Sequence, residues 1–454
     1  MTSIRVLGAA LTAGALGLCA PAAARAQERD SIPGVTLGLV YETSYTPALA
    51  IRPFTGRFGG EAGAPQIEAI IARDLRYSDR FQIMDSIPAA LAGSPEIVDY
   101  QLWDRLGAVF LLTGQVEAAG GRLTLVLELH DVVYKRTKES ARFDLPSPDD
   151  GDFRMAVHRA SDEVVRWATG EPGMAASRIA FSMPAPGSGA KEMYLIDSDG
   201  ENLIRITNHD NIILSPAWSP DGTKLAFVSY QSGLPRIYIR DLARRSERMI
   251  EPLQSGDHIT PTFAPDGVTI AFAVTSGDRT GIFSYNVERN CCLTLLMGGR
   301  WNDLSPVYSP SGDWMAFNSN RLGTGRPQIY MMPGRGGEPG MVSPYNFDRP
   351  GYFSAPDWSP VGELVAFHGA IRRGFYHILV ARTEDRGQRV RQLTWEGNNE
   401  DPSWAPDGRH LVFKGERSWG KGLFVVDVAT GNIRAILTGV EVTVPEWSPA
   451  LVGG

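Results

Sequence analysis

The 454-residue chain has three cysteines, and two of them, Cys291 and Cys292, are adjacent. That excludes a disulfide framework as the source of its stability. Neighbours in an alternating strand point to opposite faces, so two separate thiols are expected there, with a redox pair as the alternative. Charge of one sign is lacking as well: 44 basic residues face 51 acidic ones, a net charge of -7 with no long run of either. Nucleic acid is therefore excluded as the principal partner. After the N-terminus no apolar stretch approaches the roughly 18 residues of a membrane span.

Catalytic signatures are missing too. There is no Gly-x-Ser-x-Gly elbow, which removes the hydrolases in which a propeller gates a catalytic domain. "GERSWGKG" at 415 fails as a phosphate-binding loop, because Gly422 stands where a hydroxyl must meet magnesium. His158 and Asp162 are four residues apart on one helix, yet no third ligand has metal-site spacing among the seven histidines. They are read as a helix-surface pair. No catalytic residue, cofactor or metal is expected.

What the chain has in quantity is turn residues, 49 Gly and 31 Pro, and these favour β structure. Residues 1–26 have the form of a secretory signal: Arg5, an apolar stretch from Val6 to Ala20, and Ala24-Arg25-Ala26 as the cleavage site. Leu18 before Cys19 argues against lipidation. The mature chain would start at Gln27, in the periplasm.

From residue 215 the sequence repeats. "SPAWSPDGTKLAF" at 215 is followed by "TPTFAPDGVTIAF" at 260, "SPVYSPSGDWMAF" at 305, "APDWSPVGELVAF" at 355, "DPSWAPDGRHLVF" at 401 and a truncated "VPEWSPA" at 444. The leading prolines are spaced by 45, 45, 50, 46 and 43 residues, the period of a propeller blade. Each unit gives an inner strand with an aromatic between prolines, a glycine turn, a strand ending in Phe, and two further strands. Prolines suit an innermost strand beside a channel. The sixth unit stops after its first strand, and "SRIAFSM", "EMYLIDSDG" and "NLIRIT" near residue 177 supply the rest. A six-bladed all-β propeller over 175–454, closed by strands from both ends of the array, is predicted.

Residues 27–174 lack the repeat and form a separate α/β domain. "VTLGLVY", "ALAIRPF" and "FQIMD" read as strands, "APQIEAIIARDLRYSDRF" as an amphipathic helix, and a second helix runs through Trp103 and Leu106. "AVFLLTGQVEA" and "RLTLVLELHDV" are long strands, a polar edge strand follows near 135–143, and a last helix runs from Asp152 to Gly170.

The N-terminal segments "IRPF", "IIARDLRYSDRF", "LGAVFLLTGQV" and "HRASDEVVRWATGEPG", joined to the repeat and to "LTWEGNNEDPSWAPDG", resemble the TolB family, the periplasmic component of the Tol-Pal envelope system. The resemblance implies a monomeric, non-enzymatic adaptor that binds the peptidoglycan-associated lipoprotein Pal at its propeller rim and the C-terminal domain of TolA through its mature N-terminus. Such an adaptor supports outer-membrane integrity and constriction at division. By position in the family's rim loops, the Pal-facing residues would be Asp257, His258, Thr260, Asn302, Asp303, Leu304, Ser305, Asn399 and Glu400. The alternative is a secreted propeller that binds a small molecule, glycan or metal in its channel, or acts there as an enzyme.

Overall fold

The computed structural model describes residues 31–32, 35–37, 46–56, 63–84, 87, 98–119, 122–251, 254–345, 351–370 and 374–452. The predicted leader lies outside these residues.

The N-terminal domain is built on a five-stranded sheet in the order Gln82–Ile83, Ala48–Ile51, Phe110–Ala119, Arg122–Asp131, Arg136–Leu145. Strand alternation sorts its side chains. Leu49, Ile51 and Leu112 face helices α1 (Gly63–Tyr77) and, in the same core, the long C-terminal helix, while Ala50 and Leu111 pack with Trp103 in a second cluster. Trp103 belongs to the short helix α2 (Tyr100–Arg105), which is capped by the Asp99 side chain. The C-terminal helix, α3 (Phe153–Thr169), ends where Gly170 takes a left-handed φ of 80° and donates its N–H to Arg166 O. The polar strand Arg136–Leu145 is an edge, as its charges predict.

The remainder is a ring of six four-stranded antiparallel blades. Blades 1 to 5 span residues 213–249, 257–297, 303–341, 352–392 and 399–438. In the sixth, Thr443–Trp447 pairs with Arg178–Pro184, followed outward by Lys191–Asp197 and Ile204–Arg205. The repeat's phenylalanines, Phe181, Phe227, Phe272, Phe317, Phe367 and Phe413, are fully buried between neighbouring blades. Every inner strand carries a bulge at the residue before its leading proline. Ser215, Thr260, Ser305, Ala355, Asp401 and Val444 all have φ between 45° and 55°. These residues and their prolines line the channel.

Two expectations are corrected. Val35–Leu37, predicted as a strand of the N-terminal domain, pairs instead in parallel with Arg389–Gln392 on the outside of blade 4, and Ser31–Ile32 folds back on it. An alternating apolar segment encodes a strand but not which free edge receives it. Cys291 and Cys292 are joined in a disulfide rather than pointing apart. Cys292 sits at φ 70° where the register slips between Ser284 and Asn286, so the strict alternation on which the expectation rested is broken there.

Candidate functional site

The antiparallel order divides the propeller into two ends. Tight Asp-Gly-type turns emerge at one, and the loops joining second to third strands and one blade to the next emerge at the other. The N-terminal domain packs on the turn end, where Asp79 meets His410 of blade 5 and Arg73 meets Asp199 of blade 6. The loop end faces away from it. Leu234, Leu322, Phe375, Trp395 and Trp419 all lie in loops at that end and are exposed, Trp419 by 62% and Trp395 by 54%. Of the five large exposed aromatics among the described residues, three, Phe375, Trp395 and Trp419, lie on this rim, a composition that suits a protein-binding surface. They were missed in the sequence, where each looks like an isolated loop residue.

The structure divides the nine predicted rim residues by burial. His258, Asp303 and Asn399 are buried and hold the loops in place. His258 Nε2 lies 2.9 Å from Gln254 O, and burial lowers its pKa. Asp303 accepts from the Arg321 guanidinium at 2.8 Å. Asn399 Nδ2 donates to Glu396 O and Gly397 O, both at 3.0 Å, while its Oδ1 accepts from Arg417 at 2.9 Å. Asp257, Thr260, Asn302, Leu304, Ser305 and Glu400 are half-buried at the channel mouth. Thr260 Oγ1 accepts from the Ser305 N–H, Asn302 N–H donates to Asn320 Oδ1, and Glu400 pairs with Lys414 at 3.3 Å.

Below this mouth the channel holds a cavity of about 100 Å³ walled by six prolines, with Asp357, Asp401 and Glu446 from three successive blades among its lining. Burial pushes the Asp357 carboxyl up to about 6, against the N–H groups of Trp404 and Trp358 that donate to it. Burial, then the Asp357 charge, raises Glu446 well above the carboxylate range. His368, whose Nδ1 accepts the Asp401 N–H at 3.1 Å, is lowered by burial to about 4 and stays neutral.

His158 and Asp162 are not a surface pair. Spacing of four fixes a shared helical face but not the direction it turns, and this face turns into the joint with the propeller. His158 is fully buried with Nδ1 at 2.8 Å from Asp74 Oδ2. Asp162 accepts the N–H groups of Ala175 and Ala176, fixing the link between the domains. Asp74, His158 and Asp199 bring ligand-type atoms together, as do Asp79, His410 and Asp427. Guanidinium groups already occupy the propeller carboxylates: Arg154 and Arg73 bind Asp199, and Arg409 binds Asp427. The joint is thus an ionic network within the protein.

Comparison with known proteins agrees with this division. Residues 40–137 match the TolB amino-terminal domain, and residues 165–451 match the TolB beta propeller domain. Tol-Pal system protein TolB of Anaeromyxobacter dehalogenans (strain 2CP-C) is 32% identical over 312 residues, covering 67% of each chain. That of Anaeromyxobacter sp. (strain K) is 32% identical over 314 residues with the same coverage. The crystal structure of TolB from Acinetobacter baumannii superposes with a TM-score of 0.76 over 89% of this chain and 97% of that one, at 24% identity, which shows a shared fold. With both domains matched, their order preserved and the propeller closed as its repeat requires, the chain belongs to the TolB family.

Proposed function

We propose that the chain is a periplasmic, non-enzymatic adaptor that presents the loop end of its propeller to Pal and engages the TolA C-terminal domain through its mature N-terminus. The observation that carries this reading is the loop end itself. It is uncovered by the N-terminal domain, framed by half-buried polar residues at the channel mouth, and rimmed by Phe375, Trp395 and Trp419. A closed propeller holds such a rim rigid, so little ordering cost offsets docking. Ser31–Ile32 pairs with Val35–Leu37 on the outer edge of blade 4, which favours an N-terminal contact linked to the same body. Replacing Trp395 and Trp419 together by Ala is expected to weaken co-migration with the Pal domain at least tenfold, while Arg244→Ala at the turn end leaves it unchanged. The reverse pattern would refute the placement.

A further inference from the structure

Two buried histidines stand at the joint between the domains, each between a carboxylate of the N-terminal domain and one of the propeller. On α3, His158 has Nδ1 at 2.8 Å from Asp74 Oδ2 of α1, and its Nε2, without a hydrogen bond of its own, faces Asp197 Oδ2 of blade 6 at 3.9 Å. In blade 5, His410 has Nδ1 at 2.6 Å from Asp407 Oδ2, and its Nε2 is 3.3 Å from Asp79 Oδ2 in the turn after α1. Each imidazole therefore has a carboxylate oxygen at both ring nitrogens, one from the N-terminal domain and one from the propeller. A neutral imidazole carries a single N–H and would turn a lone pair against one of those oxygens. The doubly protonated ring donates to both carboxylates at His410, and at His158 it donates to Asp74 while its charge faces Asp197 at 3.9 Å without a hydrogen bond. Position 410 departs from the repeat, for the equivalent residues in blades 1 to 4 are Lys224, Thr269, Trp314 and Leu364. The histidine thus occurs in the blade whose Asp-Gly turn lies against Asp79, just after α1.

We propose that His158 and His410 form a paired, proton-dependent latch between the two domains, each imidazolium joining a carboxylate of α1 or its following turn to a propeller carboxylate, so that loss of both protons loosens the joint. Around His158 the charged groups are Asp74 and Arg73 of α1, Arg154 and Asp162 of α3, Arg178 of the strand beneath, and Asp197, Asp199 and Glu201 of the blade 6 turn. Around His410 they are Asp407, Arg409 and Asp427 of blade 5, Arg434 of its outer strand, and Asp79 and Arg80 after α1. Burial alone would lower both imidazoles. The charges and hydrogen bonds of Asp74 at His158, and of Asp407 with Asp79 at His410, outweigh it and raise both. Since the unfolded value is about 6.5, the latch is complete below that pH and is lost as pH rises through the folded values.

The test is hydrogen exchange of the mature chain, residues 27–454, between pH 6 and pH 9, corrected for the intrinsic rate, together with titration of the histidine Cε1 resonances assigned by His158→Gln and His410→Gln. The latch predicts two resonances titrating above 6.5. It also predicts that protection of 70–80, 197–201 and 405–411 falls about tenfold or more relative to the blade-core strand 224–229. Unchanged relative protection, or either histidine titrating at or below 6.5, overturns it. Should a Gln variant not fold, Asp79→Asn removes the domain-crossing partner and keeps His410. The latch then requires the His410 resonance to titrate at lower pH than in the unaltered protein, and an unmoved resonance overturns it.

Discussion

At the scale of the residue, the polar groups of the loop end do two different jobs, and burial separates them. His368 is held neutral, with its pKa lowered by burial to about 4. The unfolded chain protonates near 6.5, so this group costs nothing above that pH and removes stability as pH falls from 6.5 to 4, by up to about 3 kcal/mol. His368→Gln is expected to lose less stability than the unaltered protein between pH 7 and pH 4.5 in urea unfolding; equal losses would contradict the assignment. Asn399 is a loop staple. Asn399→Ala strands the carbonyls of Glu396 and Gly397 and frees Arg417, and should cost about 2 to 3 kcal/mol in the same measurement. A sequence motif places such residues in a loop but not on its outside, because an Asn that caps its own loop and an Asn that meets a partner have the same letter and the same spacing. His158 was opaque for a related reason: helical spacing defines a stripe, and only the packed domains define what the stripe meets.

At the scale of the element, the prolines and their spacing made six inner strands legible, and the truncated sixth unit made the shared blade legible. The strand Thr443–Trp447 closes the ring through Trp447, whose Nε1 donates to Ser177 Oγ at 2.7 Å and whose N–H donates to Ser403 Oγ at 3.0 Å. The indole is 4% exposed. Trp447→Ala should therefore cost about 3 to 5 kcal/mol, whereas Trp395→Ala on the rim should stay within about 0.5 kcal/mol; comparable losses in urea unfolding would contradict closure by this strand. Deleting 445–454 should likewise lower the melting temperature far more than deleting 27–33. The left-handed residues before the six prolines left no trace in the sequence. They include Ala355 and Val444, which do not favour that region, so the bulge is imposed by ring geometry and not by local preference. The same limit explains Val35–Leu37, whose pattern specified a strand while its partner was set by which blade offered an open edge.

At the scale of the whole molecule, the N-terminal domain and the propeller meet through an ionic joint at the turn end and leave the loop end free. The family was legible in the sequence because two unrelated patterns, the α/β segment and the repeat, occur in one order. The face was legible only as a set of loops, and its exposed aromatics became a surface once the blades stood side by side. The central claim is that this face receives Pal, and the most direct measurement is calorimetric titration of residues 27–454 with the soluble Pal domain of the same organism. The account predicts saturable one-to-one binding, weakened at least tenfold by Trp395→Ala with Trp419→Ala while the folded stability is unchanged. Absence of heat and of co-migration with both proteins folded would contradict it.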